Sequence, residues 1–419
     1  MTYAETVRSL YALGNELKNA KYDLVRIQAL LAALDDPQLR GRFVHVAGTN
    51  GKGSTCAMVE SGLRAAGFRT GLYTSPHLAQ PTERIQIDGR PISGEQFTAA
   101  FETVHRCAES LMAQGKISQH PTYFETVTAM AFVTMTPVCD WIVLEVGLGG
   151  RLDATNVVVP KLGVITPVDF DHEAFLGRSI EAIAFEKAGI LKAGVPAVIT
   201  PQRPEADRVI RERAAELGVQ LIDPADWPIE NAVSDRYGSR FDLRGLSITC
   251  PLAGEHQIEN ARTAAVALET IGVPNGAIQA GIAAARWPGR LERVSRDPEI
   301  LIDGAHNPAG ARALAAYVDR FYAGERLTLI YGAMRDKAVE EVAGTLFPRF
   351  ARVIATAPQQ PRALAPENLL ELVDHPNMMA ADNLSAALQR VDGTTFITGS
   401  LFLVAEAREL LCRSSDRSI

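Results

Sequence analysis

The chain has 419 residues, a formal net charge of -7, and 47% hydrophobic and 22% charged residues. These are the proportions of a globular protein with a full core, and they carry no disordered bias. The acidic balance and the lack of a basic run argue against a nucleic-acid or anionic-membrane partner, since both favour clustered Lys and Arg.

The start, "MTYAETVRSL", lacks a basic region followed by an apolar core, and no run of about 18 apolar residues occurs, so a cytoplasmic chain is expected. Short apolar runs then alternate with helical patterns, the signature of a parallel sheet wrapped by helices. Strands are expected near "RFVHVAG", "RTGLYTS", "DWIVLEVG", "KLGVITPV" and "VPAVIT", and further on near "EILIDGA", "RLTLIYGA", "RVIATAP" and "TTFITGS". Helices are expected at "STCAMVESGLRAAG", "ARTAAVALETIG" and "NPAGARALAAYVDRF". The alternating stretch "WPIENAVSDRYGSRFDLRGLSITC" reads as a small antiparallel addition at the edge of the first domain. Trp, Pro, Gly and charges break the pattern at 286 to 299, which puts a larger domain at 1–291 and a smaller one at 292–419. Five scattered cysteines form no C-x-x-C pair, so neither a disulfide framework nor a zinc knuckle is expected.

The sharpest chemical signal is "HVAGTNGKGST" at 45 to 55. It joins an apolar strand to an amphipathic helix, where free N–H groups and the helix dipole favour a phosphate. Gly48, Gly51 and Gly53 let the backbone approach an anion, and Lys52 can reach the terminal phosphates. In the common phosphate loop Ser or Thr follows the lysine directly, whereas here Gly53 intervenes before Ser54 and Thr55. Either hydroxyl still suits a magnesium ion.

Ligands of open α/β sheets bind beyond the carboxyl ends of strands. Ser75 and His77 follow one such end, Glu145 another with Arg151 and Asp153 just beyond, and Asp169, Asp171 and His172 a third. One such residue alone is ordinarily a hydrogen-bonded surface group; three strand ends beside a phosphate loop favour metal or substrate ligation. Ser75 and Glu145 offer the oxygen atoms that magnesium prefers, and His172 suggests a second, softer site. In "FEKAGILK", Lys187 is either a helix-surface lysine or a group placed to meet phosphate. His256 and Asn260 share a face of a helix start, Asp303, His306, Asn307 and Pro308 follow another strand, and Arg290 lies at the inferred linker, where an arginine can clamp a nucleotide as domains close.

Together these segments resemble the folylpolyglutamate synthase and dihydrofolate synthase family, within the Mur ligase type of ATP-dependent amide-forming enzymes. The resemblance runs through "HVAGTNGKGST", "TSPHL", "ERIQIDG", "TYFETVTAMAF", "LEVGLGGRLDATN", "DFDHEAFLG", "FEKAGI", "GEHQIENA", "WPGRLE", "DGAHNP" and "TGSLFLV". It implies an α/β fold with a larger P-loop-type ATPase domain and a smaller Rossmann-like one. It implies that Gly48, Thr49, Asn50, Gly51, Lys52, Gly53 and Ser54 hold the ATP phosphates, and that Asn260, Arg290, Asp303 and His306 contact the nucleotide. Ser75 and Glu145 would ligate one Mg2+ and His172 another, while Lys187 matches a position where the family often carries a carbamylated lysine. Asp23, Arg26, Thr122, Phe124 and Asp153 fall where dihydropteroate binds. The implied activity is ATP-dependent addition of L-glutamate to 7,8-dihydropteroate and to reduced folates through an acyl phosphate. Lys52, His172 and Lys187 would serve the chemistry, in a monomer. A monofunctional folylpolyglutamate synthase is the near alternative; a peptidoglycan-precursor ligase and a non-catalytic nucleotide-binding module are more distant ones.

Overall fold

Runs such as "FVHVA" and "WIVLE" are apolar but for His45 and Glu145, which suits strands covered on both faces. The computed structural model, which describes residues 1–14, 23–335 and 338–415, shows such strands assembled into two largely parallel sheets. In the first, β1 (Phe43–Ala47), β2 (Thr70–Tyr73), β3 (Ile85–Ile87), β4 (Arg90–Pro91), β5 (Trp141–Glu145), β6 (Leu162–Ile165), β7 (Ala197–Ile199) and β8 (Leu221–Ile222) are ordered β4-β3-β2-β5-β1-β6-β7-β8. The β2–β3 and β3–β4 pairs are antiparallel and the rest parallel. Every residue of β1 and β5 is buried. The register sets Val46 opposite Glu145 and Ala47 opposite Ile165, so the carboxyl ends of β1, β5 and β6 lie level.

Helices α1 (Tyr3–Ala12), α2 (Val25–Ala32), α3 (Lys52–Ala65), α4 (Gly94–Ala113) and α5 (Tyr123–Met135) surround this sheet's first half. Leu10, Ile27, Phe97, Phe101 and Phe132 from four of them pack into one core with Phe43 and Tyr73. Helices α4 and α5 each start with a reciprocal capping box, Ser93 with Gln96 and Thr122 with Glu125, which satisfies orphan amides of the first turn. Then come α6 (Glu173–Leu176), α7 (Ile180–Ala188) and α8 (Pro204–Leu217), and Ile183, Ala184 and Ile210 form a second cluster with Ile165 and Ile199.

The stretch expected as a small antiparallel addition at the edge of the first domain forms a three-stranded sheet of its own. Strands β9 (Ile229–Asp235), β10 (Gly238–Leu243) and β11 (Leu246–Cys250) pair only with one another, in the order β11-β10-β9. Arg244 and Gly245 both have positive φ, +47° and +78°, as a tight type I′ hairpin turn demands. Leu246, Ile248 and Cys250 are buried while Ser247 and Thr249 are exposed, the alternation of a sheet with one wet face.

After α9 (Glu255–Thr270) and α10 (Asn275–Ala284), a six-stranded sheet is built from β12 (Glu292–Arg296), β13 (Glu299–Ile302), β14 (Thr328–Tyr331), β15 (Arg352–Ala355), β16 (Met378–Ala380) and β17 (Thr395–Thr398). Its order is β12-β13-β17-β14-β15-β16, and only the β12–β13 pair is antiparallel. Helix α11 (Pro308–Phe321) packs Leu314 and Tyr317 into its core with Leu301, Leu329 and Phe396. The expected α/β class with two parallel-sheet domains of unequal size is thus present. By internal contacts the first unit holds 1–229, 243–248 and 260–285, and the second holds 230–242, 249–259 and 286–419. Among the described residues no helix is long and apolar enough to cross a membrane.

Candidate active site

The glycine loop leaves the buried end of β1 and enters α3, whose first residue is Lys52. Gly48 has φ +148°, and a Cβ there would sit 2.9 Å from the carbonyl oxygen of Thr166. Gly51 caps α3 in the left-handed region, φ +85°, with the amide of Asn260 directly against it. No other residue fits both turns without strain. Thr49 is held from the neighbouring strand end: its hydroxyl donates to the carbonyl of Asp169 at 3.0 Å, and its amide to that of Pro167 at 2.9 Å. Asn50, Gly53 and Ser54 complete the turn at the amino end of α3, with Ser54 buried. Helix amino ends of this kind attract anions.

Two lysines converge on this loop. Lys52 Nζ donates to the carbonyls of Gly48 at 3.1 Å and Thr49 at 3.2 Å. Lys187 Nζ donates to the same Gly48 oxygen at 2.7 Å. Lys187 is therefore no helix-surface lysine; it is 4% exposed. Burial, aided by the Lys52 charge, brings its ammonium down from 10.5 to about 7, against the opposing pull of Asp171 and Asp153. A substantial share of the amine is neutral near neutrality, which a surface lysine would not allow.

The segment after β5 is pinned to α7, which carries Lys187. The Arg151 amide donates to the Glu186 carbonyl at 2.7 Å and its guanidinium to the Glu186 carboxylate at 2.8 Å. Asp153 is buried and receives the amides of Gly147 at 3.0 Å and Leu148 at 2.8 Å on one oxygen, with Thr155 on the other. Burial pushes its carboxyl up, and these hydrogen bonds oppose the rise. Thr155 is in turn 2.9 Å from the buried His45 Nε2. Its hydroxyl proton goes to Asp153, so His45 donates, and burial holds that imidazole neutral with a pKa of about 3.

At the end of β5, Glu145 accepts the Ser75 amide at 3.0 Å and is 5% exposed. The Ser75 hydroxyl oxygen is buried with no hydrogen-bond partner, as is that of Thr55. A carboxylate beside an unpartnered buried hydroxyl, at a phosphate-type loop, is an oxygen donor set of the kind magnesium takes. The residues therefore fit the metal. His172 stands apart in character: it lies in the left-handed region at the start of α6, 41% exposed, with its Nε2 3.9 Å from Asp171.

Of the residues assigned to dihydropteroate, three are drawn together. Phe124 lies against Gly147, whose amide is bound by Asp153, and Thr122 caps the helix that carries Phe124. Arg26 reaches the same helix start through an ion pair with Glu125 at 2.7 Å. Asp23 is exposed and accepts the amide of Val25 at 3.1 Å. Glu125, which binds Arg26 and caps α5, escaped the sequence reading; its position three residues after Thr122 is the available signal. Of a further cluster the sequence offered only His77. Arg84 donates to His77 Nδ1 at 2.9 Å, Tyr11 meets the other ring nitrogen at 3.2 Å, and Tyr11 stacks on Tyr123.

In the second unit, Arg290, Asp303 and His306 gather at the ends of β12 and β13. Both oxygens of Asp303 are taken by backbone amides, Leu291 and Ala305, each at 2.9 Å. This fixes the loop. Arg290 bonds the Gly289 carbonyl at 3.0 Å, and His306 Nδ1 lies 2.8 Å from the Gly304 carbonyl. His256 is held neutral by burial, with Asp303 opposing and Arg290 reinforcing.

Residues 46–268 match the Mur ligase middle domain, and residues 289–404 match the Mur ligase, glutamate ligase domain. The chain belongs to the Mur ligase family, within its folylpolyglutamate synthase and dihydrofolate synthase branch, and is an ATP-dependent ligase. A folylpolyglutamate synthase of Lacticaseibacillus casei is 36% identical over 98% of this chain and 99% of its own. A dihydrofolate synthase/folylpolyglutamate synthase of Bacillus subtilis is 35% identical, covering 93% of this chain and 95% of its own. The solved Mycobacterium tuberculosis folylpolyglutamate synthase complexed with ADP and AMPPCP is similar at a TM-score of 0.90 and 34% identity, over 98% and 99% of the two chains.

Proposed function

We propose that this ligase is bifunctional, joining L-glutamate to 7,8-dihydropteroate to give dihydrofolate and adding further glutamates to reduced folates. The observation that carries the reading is the meeting of Phe124, Gly147 and Asp153 on one side and Lys52 with Lys187 on the other, around the carboxyl ends of β1 and β5.

A carboxylate is a poor acyl donor, because its charge repels a nucleophile and oxide is a poor leaving group. Phosphorylation removes both obstacles. The substrate carboxylate attacks the γ-phosphorus of ATP in line and ADP leaves, giving an acyl phosphate; the amine of L-glutamate then attacks the acyl carbon, phosphate departs and a proton is lost from nitrogen. Residues Gly48 to Ser54 hold the phosphates, Asn260 supports the loop at Gly51, and Lys52 balances the charge that develops. For Arg290, Asp303 and His306 the nucleotide role rests on the motif resemblance. Ser75 and Glu145 would hold one Mg2+ and His172 a second, where the ion supplies charge neutralisation at the phosphates. Thr122, Phe124 and Asp153 orient the pterin, with Arg26 and Asp23 at its margin.

Lys187 acts as its carbamate. Only a neutral amine attacks carbon dioxide, forming the N–C bond and releasing one proton, and burial supplies that neutral amine. The product replaces a cation beside Lys52 with an anion.

The test is ADP release with ATP, Mg2+ and L-glutamate, run with 7,8-dihydropteroate, with tetrahydrofolate, with a UDP-muramoyl substrate, or with no acceptor. Release with both pterins is the expected result. Release with tetrahydrofolate alone overturns the dihydropteroate assignments, release with the muramoyl substrate moves the chain to the peptidoglycan branch, and release with none overturns ligation of these acceptors.

A further inference from the structure

One cluster of ligating side chains lies outside everything used above. His105 and Glu109 are four residues apart on α4 and so share one face of it. His120, in the segment between α4 and α5, folds back onto that face. His105 Nδ1 is 3.2 Å from His120 Nε2, and the same His120 nitrogen is 3.6 Å from a Glu109 carboxylate oxygen. One donor atom from each of the three lies within 4.8 Å of the others.

The two rings are held from behind. His105 stacks on Phe101 at 5.2 Å and 9°. His120 Nδ1 lies 2.9 Å from the carbonyl of Pro121. A carbonyl only accepts, so Nδ1 is the nitrogen that donates there, and Nε2 is the one turned toward His105 and Glu109. A ring N–H donated to a backbone carbonyl is also the usual support behind a metal-bound histidine.

We propose that His105, Glu109 and His120 form a binding site for a transition-metal dication of the Zn2+ type. Zn2+ takes histidine nitrogen and carboxylate oxygen at about 2.0–2.2 Å in a tetrahedron, whose edges are then about 3.3–3.6 Å. The two separations of 3.2 and 3.6 Å are within about 0.1 Å of such edges. Two imidazoles favour Zn2+, Ni2+ or Cu2+ over Mg2+ or Ca2+, which take oxygen, so the site is chemically distinct from the one at Ser75 and Glu145. Three protein ligands leave the fourth position to water. A metal here would tie α4 to the residue two before Thr122, the cap of α5.

The experiment uses the full chain, stripped of metal and held in saturating Mg2+ so that oxygen-donor sites are filled. Zn2+ is titrated calorimetrically, and Co2+ serves as the optical probe, since tetrahedral coordination gives intense ligand-field bands. The expected result is one equivalent of Zn2+ and a tetrahedral Co2+ spectrum. Loss of one ligand in His105→Ala, His120→Ala or Glu109→Gln should weaken Zn2+ by at least the roughly 10–100-fold seen for supporting residues of metal sites. The half-exposed Glu109 makes the Glu109→Gln variant the one least exposed to misfolding. No Zn2+ binding by the parent chain, or unchanged affinity in all three variants, overturns the proposal.

Discussion

Lys52 and Lys187 donate to one carbonyl oxygen, that of Gly48, at 3.1 and 2.7 Å. Two cations sharing one acceptor, one of them buried, repel each other, and conversion of Lys187 to a carbamate ends that repulsion. Enzyme freed of bicarbonate should therefore lose activity and regain it when bicarbonate is returned. Lys187→Ala should lower kcat by on the order of 100-fold, the scale for one preorganised charge-stabilising group. A bicarbonate-independent parent enzyme would sink the carbamate assignment.

The donor set at β5 predicts a separation between stability and metal affinity. Ser75→Ala removes a buried hydroxyl that has no hydrogen-bond partner, so folding should be unchanged or slightly stronger. The apparent affinity for Mg2+ in the ATP-dependent reaction should fall by about 10–100-fold, by analogy with losses around metal centres. Equal Mg2+ dependence in parent and variant would remove Ser75 from the ligand set.

Gly48→Ala tests the loop geometry. Its φ of +148° and the Thr166 carbonyl 2.9 Å from the added Cβ force the loop to move. A loss of about 1–3 kcal/mol is expected from such strain. The KM for ATP should rise while that for the pterin stays put, as measured by thermal melts and initial rates.

His45 sets an acid limit. Its folded pKa, about 3, lies below the ordinary 6.5. The unfolded chain thus takes up a proton below pH 6.5 that the folded chain refuses until about pH 3, and stability falls as pH drops through that window. His77, also near 3 through burial and Arg84, adds to the same slope. Urea midpoints of His45→Gln should decline less steeply with acid than those of the parent chain. Parallel declines would show that His45 is not kept neutral by its surroundings.

The Arg26–Glu125 pair predicts non-additivity. Both side chains are mostly buried, and stranding one charge costs about 3–5 kcal/mol in such pairs. Glu125→Ala should cost more than Arg26→Ala, because Glu125 also accepts the Thr122 amide at 2.8 Å. Replacing both by Met should cost less than the two single changes summed. In assays, Arg26→Ala should raise the KM for dihydropteroate and leave that for ATP unchanged.

Local pattern alone determined β1, β2, β5, β6, β7, β13, β14, β15 and β17 and the strand–glycine loop–helix junction at 43 to 65, but not the short or outlying β3, β4, β8, β12 and β16, because alternation of apolar runs, turn glycines and helical periodicity are properties of neighbouring residues. It also exposed the strand-end carboxylates and, through motifs, the family. It did not reveal that the 227–250 stretch makes its own sheet, since pairing partners are chosen by what else the strands meet. Nor did it settle Lys187, whose acceptor lies 139 residues away in sequence. A lysine becomes a reactive amine only by losing water and gaining a neighbouring charge, and both are conferred by packing. The same holds for His45 beside Thr155, for Arg26 on Glu125, and for His120 brought against His105 and Glu109 of α4: their chemistry arises from proximity and burial, which exist only once the chain has folded.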